Sequence, residues 1–189
     1  MKILAFAGSL RKDSYNKKLA RVAVEGAKAA GAEVTLIDLK DFPLPVYDGD
    51  IEAAEGLPAN AKKLKEIFLS HRALIIASPE YNSSIPGGLK NMLDWVSRPA
   101  SKDEPTLACF TKKTAALFSA SPGALGGLRA LVPLRAMLEN IGVLILPGQV
   151  AVPRANEAFD EKGALKDTKQ DASVRKLAAE LVQTAAKLS

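Results

Sequence analysis

The sequence holds one cysteine, one histidine and one tryptophan among 189 residues. With Cys109 alone, no internal disulfide can form. Cys109 and His71 together fall short of the three or four nitrogen and sulfur ligands of a zinc centre. Aromatic residues make up only 5% of the chain, and the lysines are spread along it rather than clustered, so the net charge of +5 does not draw a nucleic-acid footprint. A basic balance of this kind serves an anionic small ligand equally well. No apolar run approaches the roughly 20 residues of a membrane-crossing helix. The apolar part of the N-terminus, residues 3–7, is short and runs directly into a turn, which reads as a buried strand rather than a signal peptide. Neither nucleic acid nor membrane is expected as a partner, and the expected location is the cytoplasm. Repeats, low-complexity tracts and linkers are also missing, so residues 1–189 are expected to form one domain with a full core.

What the chain does have is alternation. Short apolar runs at residues 2–7, 33–37, 73–77, 114–119 and 143–146 read as strands. Helical spacing follows the first through Leu19, Val22, Ala23, Gly26, Ala27 and Ala30, and Gly31 ends it. Further helices are expected over 58–70, from Pro86 to near Pro99, from Gly127 to Asn140 with Pro133 bending it, and after residue 166. Residues 38–57 are expected to be irregular, 100–113 an exposed connection, and 147–166 a loop. Strand and helix alternating five times predict a parallel sheet covered on both faces, with strand order 2-1-3-4-5.

Three turns carry the chemistry, each following a strand, so all are expected at the carboxyl edge of the sheet, where such folds bind ligands. In Gly8-Ser9-Leu10-Arg11, running on to Ser14-Tyr15-Asn16, hydroxyls, a guanidinium and a helix N-terminus meet, a set suited to phosphate. It has neither the later glycines of a dinucleotide fingerprint nor the Gly-Lys-Ser/Thr of a Walker loop; a plain capping turn is the competing reading. In Pro79-Glu80-Tyr81-Asn82-Ser83-Ser84, ahead of Pro86-Gly87-Gly88, a polar loop can read the edge of a flat heterocycle while Tyr81 covers its face. An ordinary surface loop with a structural tyrosine is the alternative there. Glu80 has no second carboxylate or histidine beside it in sequence and receives no proton-transfer role. Ser119-Ala120-Ser121-Pro122-Gly123, followed by Gly126-Gly127, is the third turn. His71 falls at the opposite end of the sheet and is expected to be a surface or capping residue. Cys109 is expected to be inert.

The first turn, together with Ser78-Pro79-Glu80-Tyr81-Asn82-Ser83-Ser84-Ile85-Pro86-Gly87-Gly88-Leu89-Lys90-Asn91-Met92-Leu93-Asp94-Trp95, resembles the NADPH-dependent FMN reductase family, which includes quinone, azo-dye and chromate reductases. The resemblance spans nearly the whole chain. It implies an α/β flavodoxin-like three-layer sandwich and an enzyme that passes two electrons from NADPH or NADH through FMN to a small-molecule electron acceptor such as a quinone. By the same resemblance Ser9, Leu10, Arg11, Ser14 and Asn16 bind the cofactor at its phosphate end. Pro79, Glu80, Tyr81, Asn82 and Ser83 line the isoalloxazine ring, with Ser121 and Gly123 on its other side. A homodimer or homotetramer is implied, and no side chain need act as acid or base. The alternatives are a flavodoxin-type electron carrier without a substrate of its own, or a nucleotide- or phosphate-binding regulator without flavin.

Overall fold

In the computed structural model, which describes residues 1–188, the elements follow in the order β1 (Lys2–Ala7), α1 (Tyr15–Ala29), β2 (Glu33–Asp38), α2 (Gly49–Glu55), α3 (Ala59–Leu69), β3 (Ala73–Ala77), α4 (Gly87–Ser97), β4 (Lys113–Ala120), α5 (Leu128–Asn140), β5 (Val143–Val152), α6 (Ala155–Ala158) and α7 (Thr168–Lys187). The five strands pair in parallel in the order β2-β1-β3-β4-β5, as the alternation predicted. Side chains alternate between faces along each strand. Ile3, Ala5, Ala73, Ile75 and Ala77 join α1 and α7 in one core, while Leu4, Phe6, Leu74 and Ile76 join α3, α4 and α5 in another. The fold is therefore the expected flavodoxin-like sandwich with helices on both faces.

The two cores differ in grain. The α1/α7 side is rich in alanine, and a Cβ on Gly26 would lie 2.6 Å from the Arg175 Cα, so glycine there lets the two helix backbones close together. The opposite side is built from larger groups, with Phe68 packed against Phe6 and Phe110 at centroid distances of 5.8 and 5.6 Å. No helix among the described residues is long and apolar enough to cross a membrane.

Four local expectations are corrected. Residues 38–57 contain a 3-10 turn at Leu39–Asp41 and the helix α2, which buries no residue and so shows no apolar period. Trp95 holds this excursion down by donating from Nε1 to the Pro45 carbonyl at 2.8 Å and meeting Tyr47 edge-on at 5.0 Å. The stretch 100–113 is not simply exposed, because Cys109 and Phe110 are buried in the second core. β5 does not stop at residue 146. Its pairing with β4 steps from Ala115↔Ile145 to Leu117↔Gln149 and continues to Val152, so an irregularity at Pro147 and Gly148 interrupts a longer strand. His71 is buried rather than at the surface, while the capping half of the expectation holds: its ring nitrogens are hydrogen-bonded with the Ile67 carbonyl in the last turn of α3 at 2.7 Å and with the Thr35 hydroxyl at 2.8 Å.

Burial pushes the Cys109 thiol up, with the nearby Lys65 charge opposing, so the inert reading of this residue holds on physical grounds. Lys65, itself buried, donates to Glu104 at 2.6 Å and to the carbonyls of Val96 and Arg98.

Candidate functional site

The β1–α1 turn is pinned at its start by the Gly8 N–H, which donates to the Ala77 carbonyl at 2.9 Å. A Cβ on Gly8 would come within 2.8 Å of the Leu89 side chain, so glycine lets the turn lie against α4. The Ser14 hydroxyl caps α1 by accepting from the Asn16 N–H at 3.2 Å, and the Ser9 hydroxyl accepts from the Arg11 N–H at 3.3 Å. Both serines are buried. Arg11 is exposed, and its guanidinium has no hydrogen bond or ion pair among the described residues. Asn16 is used differently from the expectation. Its carboxamide donates to the Ala120 carbonyl and accepts from the Ala120 N–H, tying the start of α1 to the end of β4. It therefore shapes the wall of the site with a side chain already engaged.

After β3, Tyr81 and Ser84 close a two-residue turn through reciprocal backbone bonds of 3.0 and 3.1 Å. Asn82 and Ser83 at its tip have φ of 51° and 63°, the left-handed region that a primed turn requires. The base of the loop is anchored where the Ser119 hydroxyl donates to the Ser78 carbonyl at 2.7 Å and the Ser78 N–H donates to the Phe118 carbonyl at 2.8 Å. Glu80 is held by a residue the sequence did not reveal. The Arg129 Nε donates to one carboxylate oxygen at 2.7 Å and the Arg129 backbone N–H to the other at 3.2 Å. Glu80 thus caps the first turn of α5, where a carboxylate meets the positive end of the helix. This is the role of a brace. No local signal joins positions 80 and 129; only the glycine pair before α5 marks the spot. At Gly127, with φ of 87°, a Cβ would overlap the Ser119 hydroxyl and approach the Glu80 Cβ at 3.6 Å, so the helix starts hard against this loop.

The third turn is folded onto the first two. The Ser121 N–H donates to the Val152 carbonyl, the Ser121 carbonyl accepts from Ala155, and the Ser121 hydroxyl accepts from the Gly123 N–H at 3.4 Å. The three turns enclose a notch of about 60 Å³ lined by Ser9, Arg11, Ser14 and Asn16 on one side and by Pro79, Glu80, Tyr81 and Ser121 on the other. Leu10 lines the adjoining cavity of about 290 Å³ with Arg11, Tyr81, Gly87 and Gly88. Asn82, Ser83 and Gly123 lie on exposed turns outside both linings. Tyr15 also lines the notch, its ring stacked on Phe159 at 6.3 Å, a contact that spacing along the chain does not disclose. Lys90 is not free to face the cleft, since it is paired with Asp94 one helical turn on at 2.6 Å.

Comparison with known proteins gives a consistent picture. Residues 1–157 match the family model described as NADPH-dependent FMN reductase. The chain is 38% identical over 170 residues to an NAD(P)H-dependent FMN reductase of Pseudomonas aeruginosa, covering 89% of this chain and 86% of that one. It is 35% identical over 146 residues to a quinone reductase of Escherichia coli, covering 77% and 73%. A flavoenzyme NAD(P)H:(acceptor) oxidoreductase from Paracoccus denitrificans superposes with a TM-score of 0.82 at 29% identity, over 98% of this chain and 97% of that one.

Proposed function

Since the chain belongs to the NADPH-dependent FMN reductase family, we propose that it is a flavoenzyme passing two electrons from NADPH or NADH to a quinone or similar small acceptor. The observation that carries this reading is the meeting of the phosphate-type turn and the Pro79–Ser83 turn around one cleft. When bound, FMN would supply the two-electron chemistry that links the nicotinamide to the acceptor.

The residues present fit that cofactor. The N–H groups of Leu10, Lys12 and Tyr15 have no partner among the described residues; Tyr15 opens α1, where the helix dipole favours an anion, and Leu10 and Lys12 lie in the turn that leads into it. Arg11 adds an unpaired planar cation beside the two buried hydroxyls. Ser9, Arg11 and Ser14 are the residues that would hold the phosphate, with Asn16 bracing them from behind. Pro79, Glu80, Tyr81, Asn82 and Ser83 would form one side of the ring site, and Ser121 and Gly123 the other. The backbone at Gly87 faces open space, leaving room for a flat ring above the start of α4. The Glu80 charge is matched by Arg129, so the ring site is not acidic.

The chain's residues bind, orient and exclude water; none is assigned a proton. A homodimer or homotetramer fits the exposed Leu128 and Val132, which lie four residues apart on α5, with the exposed Leu125 in the turn before it, while Leu131, Leu134 and Leu138 of the helix are spent on the core. The single sheet, covered on both faces, supports one FMN-binding domain over the whole chain. The electron-carrier alternative has less support, because the relatives at 35–38% identity are reductases.

The test is the spectrum of the purified protein, followed by NADPH and NADH oxidation with menadione. We expect a yellow protein with one FMN per chain that oxidises at least one nicotinamide in a quinone-dependent manner. A protein that binds FMN but leaves both nicotinamides unoxidised would restore the carrier reading.

A further inference from the structure

Three cavities run in series along the carboxyl edge of the sheet. The notch shares Arg11 and Tyr81 with the second cavity, and the second shares Leu10 and Gly88 with a third of about 360 Å³. That third cavity is walled by Leu39, Phe42, Pro43, Leu44 and Met92. We propose that it receives the apolar substituent of the quinone acceptor, an alkyl chain or fused hydrocarbon ring, while the quinone head stays in the cleft. This rests on the reductase reading given above.

The chemistry of the wall selects that occupant. Asn91 is the wall's one amide, and both its ends are already used. Its Oδ1 accepts from the Tyr47 N–H and its Nδ2 donates to the Pro45 carbonyl, each at 2.8 Å. Lys40 is exposed and is the only charged residue in the lining. A purine or ribose buried here would leave its polar atoms without partners, which is costly, whereas a hydrocarbon loses nothing. The nucleotide half of NADPH is therefore a poor tenant and an apolar tail a good one. The size suits a small-molecule site.

Leu10 stands at the threshold. It is 49% exposed, and a Cβ on Gly88 would sit 3.1 Å from its Cδ1. Glycine at 88 lets Leu10 lie flat on α4 and keeps the passage between the second and third cavities open. Each methylene buried beyond it should tighten binding by about fourfold.

Met92 provides the probe, being one of only three methionines in the chain and the one that lines this cavity. The oxidised, FMN-loaded protein carrying ¹³C-methyl methionine is titrated with p-benzoquinone and with its decyl-substituted form, without reductant. The decyl compound should shift the Met92 methyl, leave Met1 and Met137 in place, and bind at least about tenfold more tightly than the unsubstituted ring. Leu44→Gln, with Pro43→Asp as a second variant on the exposed side of the wall, should cut decyl-quinone affinity about fivefold. Neither should change FMN content or the affinity for p-benzoquinone. A Met92 methyl that responds to neither quinone, or to both alike, overturns the assignment. So does one that moves on dilution of the protein, which would make a second copy of the chain the occupant. If Met92 moves with the decyl compound but no nicotinamide is oxidised with either quinone, the cavity stands and the reductase reading falls. If both quinones are reduced equally well and Met92 stays still, only the cavity assignment falls.

Discussion

Asn16 and Ala120 lie 104 residues apart and are joined by two buried hydrogen bonds, 2.8 Å from the Asn16 Nδ2 to the carbonyl and 2.9 Å from the Ala120 N–H to the Asn16 Oδ1. This pair sets the distance between the first and third turns. Asn16→Ala orphans both backbone groups, at a cost of about 1–3 kcal/mol for each. The expected result is a lower melting point of the apo-protein together with weaker FMN binding. Thermal unfolding and flavin titration of the same samples check it, and an unchanged melting point would contradict the bracing role.

Arg11→Ala should give the opposite pattern. The side chain is unpaired, so folding loses little, while the ligand loses a charge-assisted donor. The expected loss of FMN affinity is about tenfold to 150-fold, with the apo melting point unchanged. Riboflavin affinity should barely move, because riboflavin has no phosphate for the guanidinium to hold. Equal losses for the two flavins would remove the phosphate assignment.

Acid should loosen a buried ion pair at the far end of the sheet. Burial alone would raise the Glu104 carboxyl, but the hydrogen bonds from Lys65 and the Ala100 N–H, with the Lys65 charge, outweigh it and hold the group below the usual carboxylate range. A depressed folded pKa contributes stability that is complete above the unfolded value, 4.5, and is lost as pH falls through the lower folded value. Glu104→Gln should therefore lower the melting point by about 2–6 °C at pH 7. The gap from the wild-type protein should narrow steadily below pH 4.5. Melting curves across that range decide it, and a gap that stays constant would show that the pair carries no charge-dependent stability.

Val132→Glu tests the assembly. Val132 is 64% exposed on the outer side of α5, so a charge there costs the fold little. Light scattering should show the wild-type protein above its 20.0 kDa chain mass and the variant shifted toward it. A wild-type protein that scatters as a monomer at micromolar concentration would exclude the oligomer.

Much of this molecule was legible in the chain itself, and the failures share a cause. β1, β3 and β4 show because they are buried on both faces, and the sites after them show because turn residues interrupt them. α2 does not show, because a helix with no fully buried residue, touching the core only through Ile51, has no apolar rhythm to detect. The second half of β5 is hidden by Pro147 and Gly148, which read as an ending but act as an interruption. Arg129 and the engagement of Asn16 are contacts between distant parts of the chain, and only folding brings their partners together.

The same interruption bears on how the protein keeps company with itself. β5 is an edge strand, and Leu144 on it is 52% exposed. A straight, apolar border would invite another chain to add a strand and begin a fibre. Pro147 has no N–H to offer a newcomer, and the slip from Ile145 to Gln149 spends four residues where β4 spends only two, Ala115 to Leu117. An incoming strand cannot stay in step across that break. The irregularity that conceals the strand from a reader of the sequence also conceals it from aggregation.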